Sequence, residues 1–261
     1  MSDMVNTTTI IGNWKMNLTV GEASLLLHQL DEKVKKHRGI DMVLAPGFLA
    51  LQPLSLQIDP RKFKLAAQNC YWRDEGAYTG EVSAHQLRGL TDYVLVGHSE
   101  RRNIFAEQGR DISKKVEAVV RHNMTAVLCV GEAAFERANN ETNDVLHDQL
   151  IGGLRNVTSE DMKSVIIAYE PVWAIGSGQA ASARDVTDAA KMIRAHISYL
   201  FGAKVAKEVS VLYGGSVTED SAGGFVLARG VDGLLVGGAS LHADKFASIV
   251  ESVFQVIKDN K

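Results

Sequence analysis

Glu170 follows the apolar run Val165–Tyr169 and stands directly before Pro171. A residue before proline is biased toward extended backbone, so the run delivers a carboxylate to its C-terminal end and stops. Among apolar neighbours such a carboxyl is expected to shift its pKa toward neutrality, which suits a general base. A solvated surface glutamate is the commoner reading for this residue type. The next segment, 171–178, sets Trp173 and Ile175 between a proline and a glycine-rich end. Greasy residues in a loop fit either a lid that closes over the base and expels water, or a loop packed against core or partner.

His98 and Glu100 sit two apart after another apolar run. A histidine ahead of the helix-forming stretch 99–107 would feel the positive end of the helix dipole and lose its proton more easily. It would then serve as a neutral donor to a carbonyl oxygen, or simply be satisfied by backbone groups. Glu100 has three possible roles: capping the helix, pairing with Lys15, or pairing with Arg101. Asn13 and Lys15 repeat the spacing after the first run, and strand alternation would point both the same way. A lysine directed into an enclosed mouth is costly unless an anion meets it. Finally, Gly214/Gly215/Ser216 and Gly237/Gly238 end two late runs. Paired glycines let backbone N–H groups approach an anion closely, though most such pairs only make turns.

These residues need elements to hold them. Apolar, β-branched runs recur at 8–12, 41–45, 64–68, 93–97, 126–131, 165–169, 209–214 and 233–237. They are near-continuous rather than alternating, as expected of parallel strands buried on both faces. Amphipathic stretches at 21–38, 113–122, 145–154, 185–201 and 244–257 read as helices. Eight alternations over 261 residues fit an α/β chain folded as one (β/α)8 barrel domain, 1–261. A doubly wound sheet would place GxGxxG after its first strand, where this chain has Gly12-Asn13-Trp14-Lys15-Met16-Asn17. In a barrel, catalytic groups come from the C-terminal strand ends, and that is where the polar residues above fall.

Composition bounds the rest. A net charge of −3 and a pI near 6.2 speak against a nucleic-acid partner. The two cysteines, Cys70 and Cys129, read as reduced thiols in apolar surroundings, and the eight histidines show no metal-ligand spacing, so no metal is expected. No apolar run is long enough to span a membrane, and residues 1–9 carry no targeting pattern. A cytoplasmic protein is the expectation.

Six motifs resemble the triosephosphate isomerase family: NWKMN (13–17), GHSERR (97–102), CVGE (129–132), AYEPVWAIGSG (168–178), YGGSV (213–217) and LVGGASL (235–241). They stand in that family's order and spread over nearly the whole chain. The resemblance implies a (β/α)8 barrel that interconverts dihydroxyacetone phosphate and glyceraldehyde 3-phosphate, in glycolysis and gluconeogenesis. Glu170 would abstract the proton, neutral His98 polarise the carbonyl and Lys15 hold negative charge. Asn13 would assist at the oxygens and Glu100 orient the site. Backbone N–H groups of Gly176, Ser216, Gly237 and Gly238 would take the phosphate, and Ile175 and Leu235 would roof the base. The lid would also suppress loss of phosphate from the enediolate. No electrons leave, so no cofactor is needed. The resemblance further implies a homodimer in which loop 71–81 carries Thr79 into the neighbouring subunit. The family's pattern is departed from at Ser177, at 182–184, at Tyr78 and at 106–110.

Two other readings are set against this one. A non-catalytic phosphate-binding barrel would keep the glycine pairs and lose Lys15, His98 or Glu170, and all three are present. A Schiff-base aldolase would need an unpaired lysine near a central strand end, and the late strands offer none.

Overall fold

Every one of the eight apolar runs is a strand: β1 Thr8–Asn13, β2 Ile40–Ala45, β3 Phe63–Ala67, β4 Tyr93–Val96, β5 Thr125–Val130, β6 Val165–Tyr169, β7 Ser210–Tyr213 and β8 Gly233–Val236. The computed structural model describes residues 7–175 and 180–260. All neighbouring strands pair in parallel, and β8 pairs back onto β1 through Ile10↔Leu234 and Ile11↔Leu235, closing the barrel.

Near-continuous apolar character follows from burial on both faces. Ile11, Val43, Ala66, Leu95, Val127, Ala168, Leu212 and Leu235 pack together as one set, the barrel interior. Their alternates Ile10, Leu44, Val94, Leu128, Ile167, Val211 and Leu234 belong to a second set that includes the helices' apolar faces. Period-two alternation therefore separates two cores instead of core from solvent.

The helices depart more from expectation. The first, Val20–Lys33, is shorter than 21–38 because Val34 leaves the helix in extended backbone while staying buried. Thr19 and Glu22 close its start as a capping box. The stretch 99–107 forms only the five-residue helix Ser99–Asn103. Beyond it Ala106 adopts φ +54, and Glu107 turns in to bond Arg101 and Lys115. Short helices at Phe48–Ser55, Ala134–Ala138, Ala203–Glu208 and Ala222–Val226 are too brief to show a periodic stripe. Among the described residues no helix is long and apolar enough to cross a membrane.

Candidate active site

Five strand ends converge on a cavity of about 310 Å³. Its lining includes Asn13 at the end of β1 and Lys15 beyond it, His98 after β4, Glu170 and Ile175 after β6, Gly214–Val217 after β7, and Leu235 with Gly237–Ala239 at β8. Among the described lining residues Glu170 is the one acid and Lys15 the one permanent cation. Gly176 lies outside the described residues.

Glu170 is placed by its backbone. Its N–H donates to Val130 O at 2.7 Å, which carries β6 one residue past its formal end alongside β5. The side chain is 2% exposed. Oε2 accepts the Ser99 N–H at 2.8 Å, and Oε1 lies 2.8 Å from His98 Nε2. His98 caps the helix Ser99–Asn103: its Nδ1 accepts the Glu100 N–H at 3.3 Å. With Nδ1 accepting, the neutral ring carries its proton on Nε2 and donates it to Glu170.

This geometry reverses both pKa expectations. Burial pushes the Glu170 carboxyl up, but His98's charge and hydrogen bond, the Ser99 N–H and Lys15 outweigh it and hold the group below its ordinary value. Burial pulls His98 down, yet the Glu170 carboxylate and then Glu100, whose Oε2 is 3.6 Å from Nδ1, hold it above its ordinary value. The helix start does act on the ring as expected, through the Glu100 N–H at Nδ1, but two carboxylates flank the ring and act the other way.

Lys15 points into the cavity for a different reason from strand alternation. It lies beyond β1 with φ +52, in the left-handed region. Three contacts hold it there: its N–H donates to Asn13 Oδ1 at 3.0 Å, its carbonyl accepts from Gln68 Nε2 at 2.8 Å, and its Nζ reaches Glu100 Oε1 at 2.6 Å. Of the three partners open to Glu100, Lys15 is the one it takes. Gln68 also donates to Ala45 O at 2.8 Å, tying the ends of β1, β2 and β3 together.

On the opposite wall Ser240, buried, donates both N–H and Oγ to Gly237 O at 2.9 and 2.7 Å. That fixes the Gly237–Gly238 turn at the mouth. Trp173 is anchored by its indole N–H, which donates to buried Glu132 at 2.8 Å, with Arg137 lying over the ring. Thr79 lies on the exposed loop 71–81, outside the cavity.

Gln68, Ser99 and Gly131 belong to this arrangement without having stood out in the sequence. Gln68 was visible as a run end, but its two acceptors are carbonyls from other strands. Ser99 acts through its backbone, which no side chain announces. Gly131 stands where an added Cβ would lie 1.7 Å from Glu170 O, a closeness only the folded barrel reveals.

Residues 8–253 match the triosephosphate isomerase family. The chain is 43% identical over 242 residues to the triosephosphate isomerase of Geotalea uraniireducens, covering 92% of this chain and 96% of that protein. It is 39% identical over 245 residues to that of Streptococcus mutans, covering 94% and 97%. It is 40% identical over 247 residues to that of Clostridium perfringens, covering 94% and 99%. Strand order, the convergence of Lys15, His98 and Glu170, and similarity along nearly the whole length all agree: this chain belongs to the triosephosphate isomerase family.

Proposed function

We propose that Glu170, His98 and Lys15 carry out the family's reaction, the interconversion of dihydroxyacetone phosphate and D-glyceraldehyde 3-phosphate. Removing a proton beside a carbonyl creates an enediolate, which calls for a base, a hydrogen-bond donor to the developing oxyanion and a nearby cation. The single observation that carries the assignment is that one 310 Å³ cavity is lined by all three side chains.

Glu170 takes the proton from one substrate carbon and returns it to the next. The Nε2–H of His98 donates to the oxygens, and Lys15 offsets their charge with help from Asn13. Because that same N–H is bonded to Glu170 in the resting site, the carboxylate must release it when substrate enters. On release Glu170 loses His98 and Ser99 as donors and faces Ile175 and Leu235. Burial is then opposed by Lys15 alone, and its basicity rises. His98, freed of the carboxylate, falls back toward the neutral ring the step requires. Glu100 holds Lys15 and the His98 ring in place.

Backbone N–H groups of Ser216, Gly237 and Gly238 hold the phosphate, with Gly176 joining from the loop. The wall they form carries no acidic side chain among the described residues, and phosphate sites after the last two strands are frequent in this fold. The chain acts as one domain, in the cytoplasm and without a cofactor. The test is wash-in of solvent deuterium into the triose phosphate: Glu170→Gln should abolish it, and a rate equal to the native chain's would overturn the assigned base.

The chain works as a homodimer, with the exposed loop bearing Thr79 seated in a neighbouring subunit. A groove of about 500 Å³ beside Lys15, lined by Met16, Phe48, Leu49 and Gln68, supports this. Met16 is 99% and Leu49 86% exposed in the single chain, an apolar patch that a second copy would cover. A fully active monomer in equilibrium sedimentation would refute it.

A further inference from the structure

Arg102 stands in the same run as His98, yet no step above employs it. β4 and β5 pair as far as Val96↔Leu128, and their ladder ends there. The next carbonyls on the two strands, Gly97 O and Cys129 O, are both taken by one guanidinium: Nε donates to the first at 2.7 Å and Nη2 to the second at 2.9 Å. Gly97 turns the chain out of β4 with φ +68, and a Cβ there would lie 2.9 Å from Nη2. The turn that aims His98 and the head of Arg102 thus occupy one space.

The guanidinium is half-buried and, among the described residues, has no carboxylate within ion-pair distance. An enclosed arginine ordinarily takes one. It lines a second cavity of about 280 Å³ together with Ser99, Cys129 and Glu170. Burial holds the guanidinium's pKa below its ordinary value, partly offset by the charge of Glu170. The Cys129 thiol beside it is pushed well up by burial and stays neutral.

We infer that Arg102 is a positioning residue for the reaction: by bonding Gly97 O and Cys129 O together its guanidinium sets the β4–β5 seam from which His98 turns toward Glu170. The inference rests on the assignment of His98 as neutral donor. When Glu170 has taken the substrate proton, His98 loses the negative charge at Nε2. It then faces Glu100 at Nδ1 and Lys15 bound to Glu100. Arg102 acts on it only through the seam, by holding Gly97 and so the direction in which the ring leaves β4.

The test compares the native enzyme with Arg102→Gln and Arg102→Lys, reading kcat, KM and a ¹⁵N NMR pH titration of the His98 imidazole. Misplacement of a reacting group by about 1 Å costs about 10²-fold, so kcat of Arg102→Gln should fall by about tenfold to a hundredfold. KM should barely change, because the phosphate wall lies at β7 and β8. The His98 titration should shift in Arg102→Gln, because the ring no longer leaves the seam at the angle that sets it 2.8 Å from Glu170, and Arg102→Lys, which keeps a donor but not the two-carbonyl fork, should shift it too. An unchanged His98 titration in Arg102→Gln, or a raised KM with native kcat, would overturn the role. Should Arg102→Gln fail to fold, Arg102→Lys alone decides: reduced kcat with a shifted His98 titration upholds it, and native kcat or an unchanged titration overturns it. Loss of deuterium wash-in on Glu170→Gln is a separate result, so failure here leaves the base assignment standing.

Discussion

His98 Nε2 and Glu170 Oε1 lie 2.8 Å apart, both side chains almost wholly buried. In the proposed mechanism one N–H therefore serves two acceptors in turn: the resting carboxylate, then the substrate oxygen. The resting bond keeps a buried carboxylate satisfied when no ligand is present, since an unpaired one would be strongly destabilising. It also masks the base until substrate arrives.

That arrangement predicts a pH window for the stability of the ligand-free protein. Glu170 is held below its ordinary 4.5, so its contribution is present above about 4.5 and is lost as pH falls through the lower folded value. His98 is held above its ordinary 6.5, so its contribution is present below about 6.5 and is lost as pH rises through the higher folded value. Both operate together between about 4.5 and 6.5. Paired thermal melts should show the native chain exceeding Glu170→Gln by most inside that window and by less on either side. A constant difference across pH would refute the coupling.

Gln68 gives a second prediction. Lys15 is a non-glycine residue at φ +52, a conformation that costs about 1–3 kcal/mol and persists only when its surroundings impose it. Gln68→Ala removes the donor to Lys15 O and Ala45 O together. Stability should fall by about 1–3 kcal/mol for the two carbonyls left without it. The loss of kcat/KM should be larger than the thermal effect suggests, because the released residue carries the ammonium proposed to offset charge on the substrate oxygens. Chemical denaturation and steady-state kinetics on the same preparation read both, and native kcat/KM would sink the argument.

The contrast between Glu170 and Gln68 shows what the sequence made legible. Strand positions were readable because burial on both faces leaves a continuous apolar signature, and Glu170 was readable because it interrupts that signature before a proline. Lys15, His98 and Glu100 stood out as polar residues at run ends. Gln68 acts on carbonyls of two other strands, and Ser99 through an amide, so neither role has a compositional trace. The pKa directions of the ligand-free site have no compositional trace for a related reason: burial is legible from neighbours in sequence, but Glu170 facing His98 is a contact across 72 residues' separation that only the closed barrel makes.

Arg194 provides a prediction about the fold itself. Its guanidinium donates to Ala206 O, Val209 O and Gly230 O and meets Asp232 Oδ2 at 2.6 Å. Asp232 also accepts the Val211 N–H at 2.8 Å, and burial raises its pKa despite these partners. Arg194→Met strands three carbonyls and a largely buried carboxyl beneath β7 and β8. Removing one partner of such a pair costs about 3–5 kcal/mol. Denaturant unfolding should show that loss while kcat of the surviving folded enzyme stays near native, since Arg194 is remote from the cavity lining. A change below about 1 kcal/mol, as for an exposed pair, would contradict it.

Gly131 concentrates packing and catalysis in one backbone position. An added Cβ would lie 1.7 Å from Glu170 O and 3.2 Å from its Cα, so either Gly131 or the base must move. Gly131 is poorly placed to yield, because Gln149 clamps its peptide on both sides: the Gly131 N–H donates to Oε1 at 2.8 Å, and Nε2 donates to Gly131 O at 3.0 Å. The Glu170 backbone is tied to β5 by one bond, its N–H to Val130 O, and its carboxylate is held separately by Ser99 and His98. Gly131→Ala should therefore displace the catalytic carboxylate, costing about 1–3 kcal/mol in stability through overpacking and about 10²-fold in kcat. Releasing the clamp with Gln149→Ala in the same chain should let residue 131 shift instead and recover part of kcat, although stability falls further. If the double variant is no more active than Gly131→Ala alone, the clamp is not what drives the displacement onto Glu170.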